Sequence, residues 1–512
     1  MLKKFLPLLL IICMALTACS DNSPDTGSGT GEVVERKAGG VLRMGCVPVD
    51  TLNPLLTSHA SILDALSLVY EGLFVTLPDL SVEPVLATEY IASENNTVYT
   101  IKLRDSVNFH NGKRFTSADV VATLSYMAIY GGNFSDVMSE IEAYYADGAD
   151  TVVIRLKRSI SDFVNNLDFP VLPEGLADAH FLPGNKDFVP NGTGPYRYSG
   201  SVEHKKLYLE ANKKWHSGEK SAYIEKVEIS VLTDEKTIIS AFDVGAIDVL
   251  STSWENIADM NLTSSMYNVF ECEQNRYTFI GINCNCAAFD TASERRKIAS
   301  AINAESVAAD IMIGNAVAAT SPMRESVYFN GDTNVRQEKW HERRENSEGD
   351  EAVKFTLLYN SGSKTKSRLA SAIRQQLEAH GYEVTLNEQP FEVYSERVML
   401  DGYDLYIGEV NFNNCADLSF MFGNAPGSMR MCNYFDSEFT NLVSNLNLMN
   451  GKEDKTIAWN NFENYFVRNA IQIPLYFTNG ALLVNKRISG TPKPNISNLY
   501  YGIAEMYIEN DE

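Results

Sequence analysis

The sequence predicts a mixed α/β protein built from parallel strands with helices packed on both faces. Three observations carry that expectation. Past Gly40, strand-like and helix-like segments alternate along the chain. No internal repeat of roughly 20–50 residues organises them, which sets solenoid and propeller architectures aside. The predicted helices begin and end at capping residues, where the hydrophobic period changes.

Taken in order, residues Thr97 to Arg104 alternate, with Tyr99, Ile101 and Leu103 on one face of a strand. After Val107-Asn-Phe-His110, the pair Asn111-Gly112 is suited to supply the two positive-φ residues of a tight hairpin turn. Thr116 and Asp119 form a capping-box pair, and Val120, Leu124 and Met127 follow at helical spacing. In the second half, Thr291 and Glu294 cap a helix whose inward face carries Ile298, Ala301 and Ile302. Phe355 to Tyr359 reads as a strand, and Ser363 opens a helix with Leu369, Ile373 and Leu377 on one stripe. Gly381 stops that helix in a left-handed conformation, and Tyr382 to Leu386 and Tyr403 to Gly408 follow as strands. Strand–helix–strand units of this kind build parallel sheets. The charged stretch from Asp332 to Glu351 reads as a solvated surface excursion.

At about 150 residues per domain, 512 residues suggest roughly three units or two large lobes. Hydrophobic residues make up 45% and charged residues 21%, enough to bury a substantial core. Acidic residues outnumber basic ones by 66 to 43, a formal charge of -23. So negative a surface repels phosphate backbones and anionic lipid, which excludes a nucleic-acid partner and membrane binding through the folded body.

Attachment is expected from the chain's start instead. Lys3 and Lys4 precede an apolar run, Phe5 to Ala18, that is too short to span a bilayer and reads as an export signal. Leu16-Thr-Ala-Cys19 resembles the lipobox of bacterial lipoproteins, which implies cleavage after residue 18 and a diacylglycerol on Cys19. Residues 19–40 then form a lipidated tether rich in Gly, Ser, Asp and Thr, with a reach of roughly 25 Å. Six thiols remain at 46, 272, 284, 286, 415 and 432, and Cys415–Cys432 is the candidate disulfide. Neither the cysteines nor the scattered histidines have metal-ligand spacing, so no metal is expected. There is no GxSxG, HExxH or GxxxxGK[ST], and no catalytic residue or cofactor is expected.

Several segments match one family in order along nearly the whole chain. Residues 97 to 127, TVYTIKLRDSVNFHNGKRFTSADVVATLSYM, are similar to its signature of a strand ending in Leu-Arg, then Phe-His-(Asp/Asn)-Gly and Thr-(Ala/Ser)-x-Asp-Val-Val. Asn191-Gly-Thr-Gly-Pro-Tyr196 matches its Gly-Thr-Gly-Pro-Tyr turn, where Gly and Pro set φ. Leu52-Asn-Pro54, Tyr70-Glu-Gly-Leu73, Asn212-Lys-Lys-Trp215, Gly245-Ala-Ile-Asp248 and Ile473-Pro-Leu-Tyr476 add to the match. The chain thus resembles the family 5 extracellular solute-binding lipoproteins of ABC importers, which include oligopeptide, dipeptide and nickel binders. The resemblance implies a two-lobed periplasmic-binding-protein-like fold of type II with an extra domain inserted in lobe one. Placed on this chain, lobe one covers 41–64, 185–273 and 486–512, the insert 65–184, and lobe two 274–485. The crossings between lobes fall at Tyr277 to Asn283 and Tyr476 to Asn485.

In the family's peptide binders, the stretch matching Val410 to Asp417 resembles Trp-x-x-Asp-Tyr-x-Asp-Pro, and its first Asp pairs with the ligand's α-ammonium. Here Phe412 stands for the Trp, Asn414 for that Asp and Asp417 for the second, structural Asp, while Leu418 replaces the Pro. Asn accepts a hydrogen bond from an ammonium but offers no charge, which leaves Asp417 or Glu409 to supply it. The ligand contacts expected are Asn414, Asn413, Phe412, Asp417, Glu409, Tyr277, Trp254 and His59. The resemblance implies a monomer on the extracytoplasmic face of the cell membrane, membrane-bound through its lipid alone. It closes on an oligopeptide or dipeptide and delivers it to importer permease subunits. A sugar or nickel chelate as ligand, or a peptide-sensing receptor or adhesin, is the alternative.

Overall fold

Two long strands organise the molecule. Tyr267–Ile282 and Gln472–Asn485 pair antiparallel along most of their length. At one end, Leu482, Leu483 and Val484 enter cores that they share with Leu42, Ile229 and Ile247. At the other, Tyr277, Phe279, Ile473 and Leu475 enter a second large core with Leu357, Ile373 and Phe466. Their register shifts between Glu273 and Arg276, between the two ends. One ribbon therefore feeds hydrophobic cores at both of its ends, and each end makes one lobe. The computed structural model describes residues 38–177, 188–217, 221–252, 260, 262–324, 340, 352–412, 414–415, 417–423, 431 and 433–508.

Lobe two is a mixed sheet. Next to the ribbon lie Leu405–Asn411, then Val353–Asn360, then Tyr382–Gln389, the last three mutually parallel. The crossover helix Lys364–Glu378 starts at Ser363, whose hydroxyl accepts from the Lys366 amide. Its stripe of Leu369, Ile373 and Leu377 is wholly buried, and Gly381 follows at φ 81°. Thr291 accepts from the Glu294 amide to cap a second helix, as its spacing predicts.

Lobe one holds a four-stranded sheet ordered Val41–Cys46, Lys226–Val231, Lys206–Ala211, Tyr196–Val202. Asp248, wholly buried, takes Arg43 at 2.6 Å and Arg487 at 2.5 Å, tying together three segments distant in sequence. A second four-stranded antiparallel sheet, Ala87–Ala92, Val98–Leu103, Thr151–Leu156 and Ile141–Ala146, carries the helix Ser117–Tyr130. Its core residues Tyr99, Ile101 and Leu124 belong to the same cluster as Leu42 and Ile229, so this sheet shares lobe one's core.

Local expectations needed three corrections. Gly112 has φ 85°, but Asn111 does not share the positive-φ region; the turn closes through Gly112 N–H to Phe109 O and Phe109 N–H to Lys113 O. Gly192 and Gly194 are not at positive φ either. A Cβ on Gly192 would sit 2.0 Å from the Val69 carbonyl oxygen, and one on Gly194 would sit 2.8 Å from those of Leu68 and Val69. Close approach of two backbones, not torsional freedom, requires glycine there. Within the charged stretch Asp332 to Glu351, Trp340 alone falls among the described residues. It is buried, its indole N–H donated to the Val467 carbonyl at 2.7 Å.

Candidate functional site

Beyond strand Leu405–Asn411, the chain leaves the lobe-two sheet and runs against the segment around Asn166 and Asp168. Phe412 packs inward, 8% exposed, with its ring 6.0 Å from Tyr277 and 5.4 Å from Phe420. Asn414 faces the other lobe: its Nδ2 donates to Asp168 Oδ2 at 2.7 Å, and its Oδ1 accepts from Asn275 at 3.4 Å. The Cys415 amide bonds to Asn166 Oδ1, and Asn166 Nδ2 reaches Cys415 Sγ at 3.0 Å. Burial pushes the Cys415 thiol up to about 12. Cys432 lies outside the described residues, as do Cys19, Trp254 and Asn413.

Asp417 is 3% exposed and is held by Arg158 Nη2 at 2.6 Å, Asn447 Nδ2 at 2.7 Å and the Ser419 amide at 2.9 Å. Burial opposes its charge, but Arg158 and those hydrogen bonds outweigh it and hold the carboxyl below its usual range. Arg158 also pairs with Glu140 at 2.6 Å. Lys455 to Asp162 at 2.7 Å and Asn96 to the Asn447 carbonyl at 3.1 Å complete a polar seam between the lobes.

Glu409 is neutralised on its own lobe. Arg276 pairs with it directly, and Lys366 Nζ lies 4.0 Å away. Burial lowers the Lys366 ammonium, against the pull of Glu409. Tyr277 is wholly buried, its ring 5.1 Å from both Phe279 and Phe477, so it packs the lobe-two core. His59 sits at the start of helix Ala60–Leu66, where its side chain makes no capping bond. The structure therefore brings Asn414 and Asp417 to the seam, and gives Phe412, Tyr277 and Glu409 packing or pairing roles within lobe two.

Behind the seam, on the lobe-one side, lies a cavity of about 700 Å³. Leu63, Phe74, Phe134, Trp215 and Tyr500 supply apolar wall. Four carboxylates, Glu71, Glu83, Asp168 and Glu505, face two permanent cations, Arg104 and Lys493. Two sequence motifs meet here: Glu71 accepts from the Trp215 indole at 2.9 Å and bonds His216 Nε2 at 2.8 Å. Burial, then the negative field of Glu83, Glu71 and Glu505, pushes the Tyr501 hydroxyl up to about 12. Asp168 keeps part of its surface open, yet burial pushes its carboxyl up to about 6. Asp168 and Arg158 were not singled out from the sequence. A lone acid inside the otherwise apolar run Leu167 to Pro173 was the available signal for the first, and Arg158 had none.

Two lobes joined by paired crossing strands, with a polar seam and a cavity beside it, define the class as a two-lobed solute-binding protein. The family model described as bacterial extracellular solute-binding proteins, family 5 Middle, matches residues 81–426, and the chain belongs to that family. It is thus an extracytoplasmic substrate-binding protein of the ABC importer type, not an enzyme. The oligopeptide-binding protein AppA of Bacillus subtilis is 24% identical over 408 residues, 74% of each chain. The nickel-binding periplasmic protein of Escherichia coli is 30% identical over 214 residues, 40% of this chain and 39% of that one. Among solved structures, the ABC transporter substrate-binding protein CtaP of Listeria monocytogenes superposes with a TM-score of 0.74 at 20% identity, covering 92% of this chain and 100% of that one. Among the described residues no helix is long and apolar enough to cross a membrane.

Proposed function

We propose that this protein captures an oligopeptide or dipeptide between its lobes and delivers it to importer permease subunits, as a monomer anchored through a lipid on Cys19. The observation that carries the ligand class is the cavity beside the seam: apolar and aromatic walls with an excess of carboxylates suit an amine-bearing ligand with apolar side chains. The B. subtilis relative's name as an oligopeptide binder supports the same reading. The cavity is walled by lobe one, so a ligand in it touches both lobes by reaching Asn414 beside Asp168. Such contacts favour the closed form, and the ribbon is the element about which the lobes would move.

The test is thermal unfolding of the protein from residue 20 onward, against panels of peptides, sugars and nickel chelates. A ligand bound at a hundred times its Kd adds about 2.7 kcal/mol to stability, a shift easily read. Peptides are expected to raise the melting temperature. A rise with sugars or nickel chelates alone would overturn the reading. Cys19→Ala is expected to move the full-length protein to the soluble fraction, and persistent membrane association would refute the anchor.

A further inference from the structure

The acids of the seam are not alike. Asp417 faces Arg158, Glu409 faces Arg276 and Lys366, and Asp162 faces Lys455. Asp168 has only neutral partners: the Asn414 amide at 2.7 Å and the Ser497 hydroxyl, with no ion pair to any described residue. It also retains exposed surface and lines the cavity. A carboxylate offers about four lone-pair positions, and those two bonds leave the others for a ligand.

We infer that Asp168 receives the ligand's primary ammonium, taking over from across the seam the charge that Asn414 does not carry. This rests on the peptide reading above and names the group that recognises the peptide's free amino end. Asn414 is then a positioning residue. Its Nδ2–H fixes one carboxylate oxygen, and its Oδ1, held by Asn275, ties that arrangement to lobe two. Closing the lobes thus completes the ammonium site, because Asn414 comes from one lobe and Asp168 and Ser497 come from the other. An ammonium at Asp168 also replaces by an ion pair the water that a buried charge has lost, which makes it stronger than the same contact in solvent.

The experiment offers the protein a mixture of peptides with apolar side chains, each present with a free amine and as its N-acetylated twin. Retained peptides are identified by mass spectrometry. The wild type is expected to retain the free-amine forms, with a preference of about tenfold or more from the charge-assisted contact. Asp168→Asn, which keeps the shape and both neutral hydrogen-bond partners, is expected to abolish the preference. The double variant Asp168→Asn with Asn414→Asp, which moves the carboxylate to the facing position, is expected to restore it. A preference that survives Asp168→Asn, or equal loss of both peptide forms, would overturn the assignment while leaving the peptide reading intact. Retention of neither form by the wild type would overturn the peptide reading itself.

Discussion

Acids at the interlobe seam and in lobe one are held in two different ways. Glu409 is matched by Arg276 and Lys366, Asp417 by Arg158 reaching across the seam, and Asp162 by Lys455. Asp168 at the seam, and Asp64 elsewhere in lobe one, are held by neutral hydroxyl and amide donors, and burial pushes their carboxyls up to about 6 and about 7. Matched charges hold structure, because an ion pair buried in good geometry keeps its partners fixed. Unmatched ones store an unfavourable burial that a cationic ligand can relieve. The difference separates groups that build the structure from Asp168, to which we assign the ligand's ammonium.

The largest expected effect breaks the matched side. Arg158→Met leaves Asp417 buried without its cation, and should cost about 3–5 kcal/mol of unfolding free energy in a denaturant titration. A cost below about 1 kcal/mol would mean that the pair is not buried as described. The next sharpens the unmatched side. Binding of an amine-bearing peptide requires ionised Asp168, so affinity measured by calorimetry should hold above pH 7 and fall about tenfold per unit below about pH 6. A flat profile from pH 7 to pH 5 would remove Asp168 from the binding step.

Asp64, bonded by the Ser251 hydroxyl beside Tyr500, tests the stability side of the same difference. Its folded pKa is raised above the unfolded value, so its protonation favours the native state at low pH, and that contribution is lost as pH rises towards about 7. Asp64→Asn should therefore stabilise the protein by about 1–2 kcal/mol above pH 7, with the gain shrinking below pH 7 and gone by about pH 4. Equal melting temperatures of variant and wild type at pH 8 would contradict it. The smallest effect is expected for Glu409→Gln. Because Arg276 and Lys366 already neutralise that carboxylate, peptide affinity should change by less than about twofold. A tenfold loss would restore Glu409 as the ammonium's partner.

What the sequence made legible was mostly local. The Thr116–Asp119 capping box closes at 2.8 Å, and the Ser363 cap and the buried stripe of Leu369, Ile373 and Leu377 need only neighbours three or four residues away. Gly192 was legible as essential but not for its reason, since the Val69 carbonyl that crowds it lies more than a hundred positions earlier. Position 414, which lies at the seam, was singled out because it belongs to an ordered motif. Asp168 and Arg158 were not, because their meaning depends on which residue faces them from the other lobe. Tyr277 was expected at a ligand and lies in the core instead, because its place on a long crossing strand points it between Phe279 and Phe477.

The most direct measurement is native mass spectrometry of the protein as purified, from residue 20 onward, followed by denaturation and identification of what is released. The account predicts peptides with free amino ends and apolar side chains. A sugar or a metal chelate as the released ligand would contradict it.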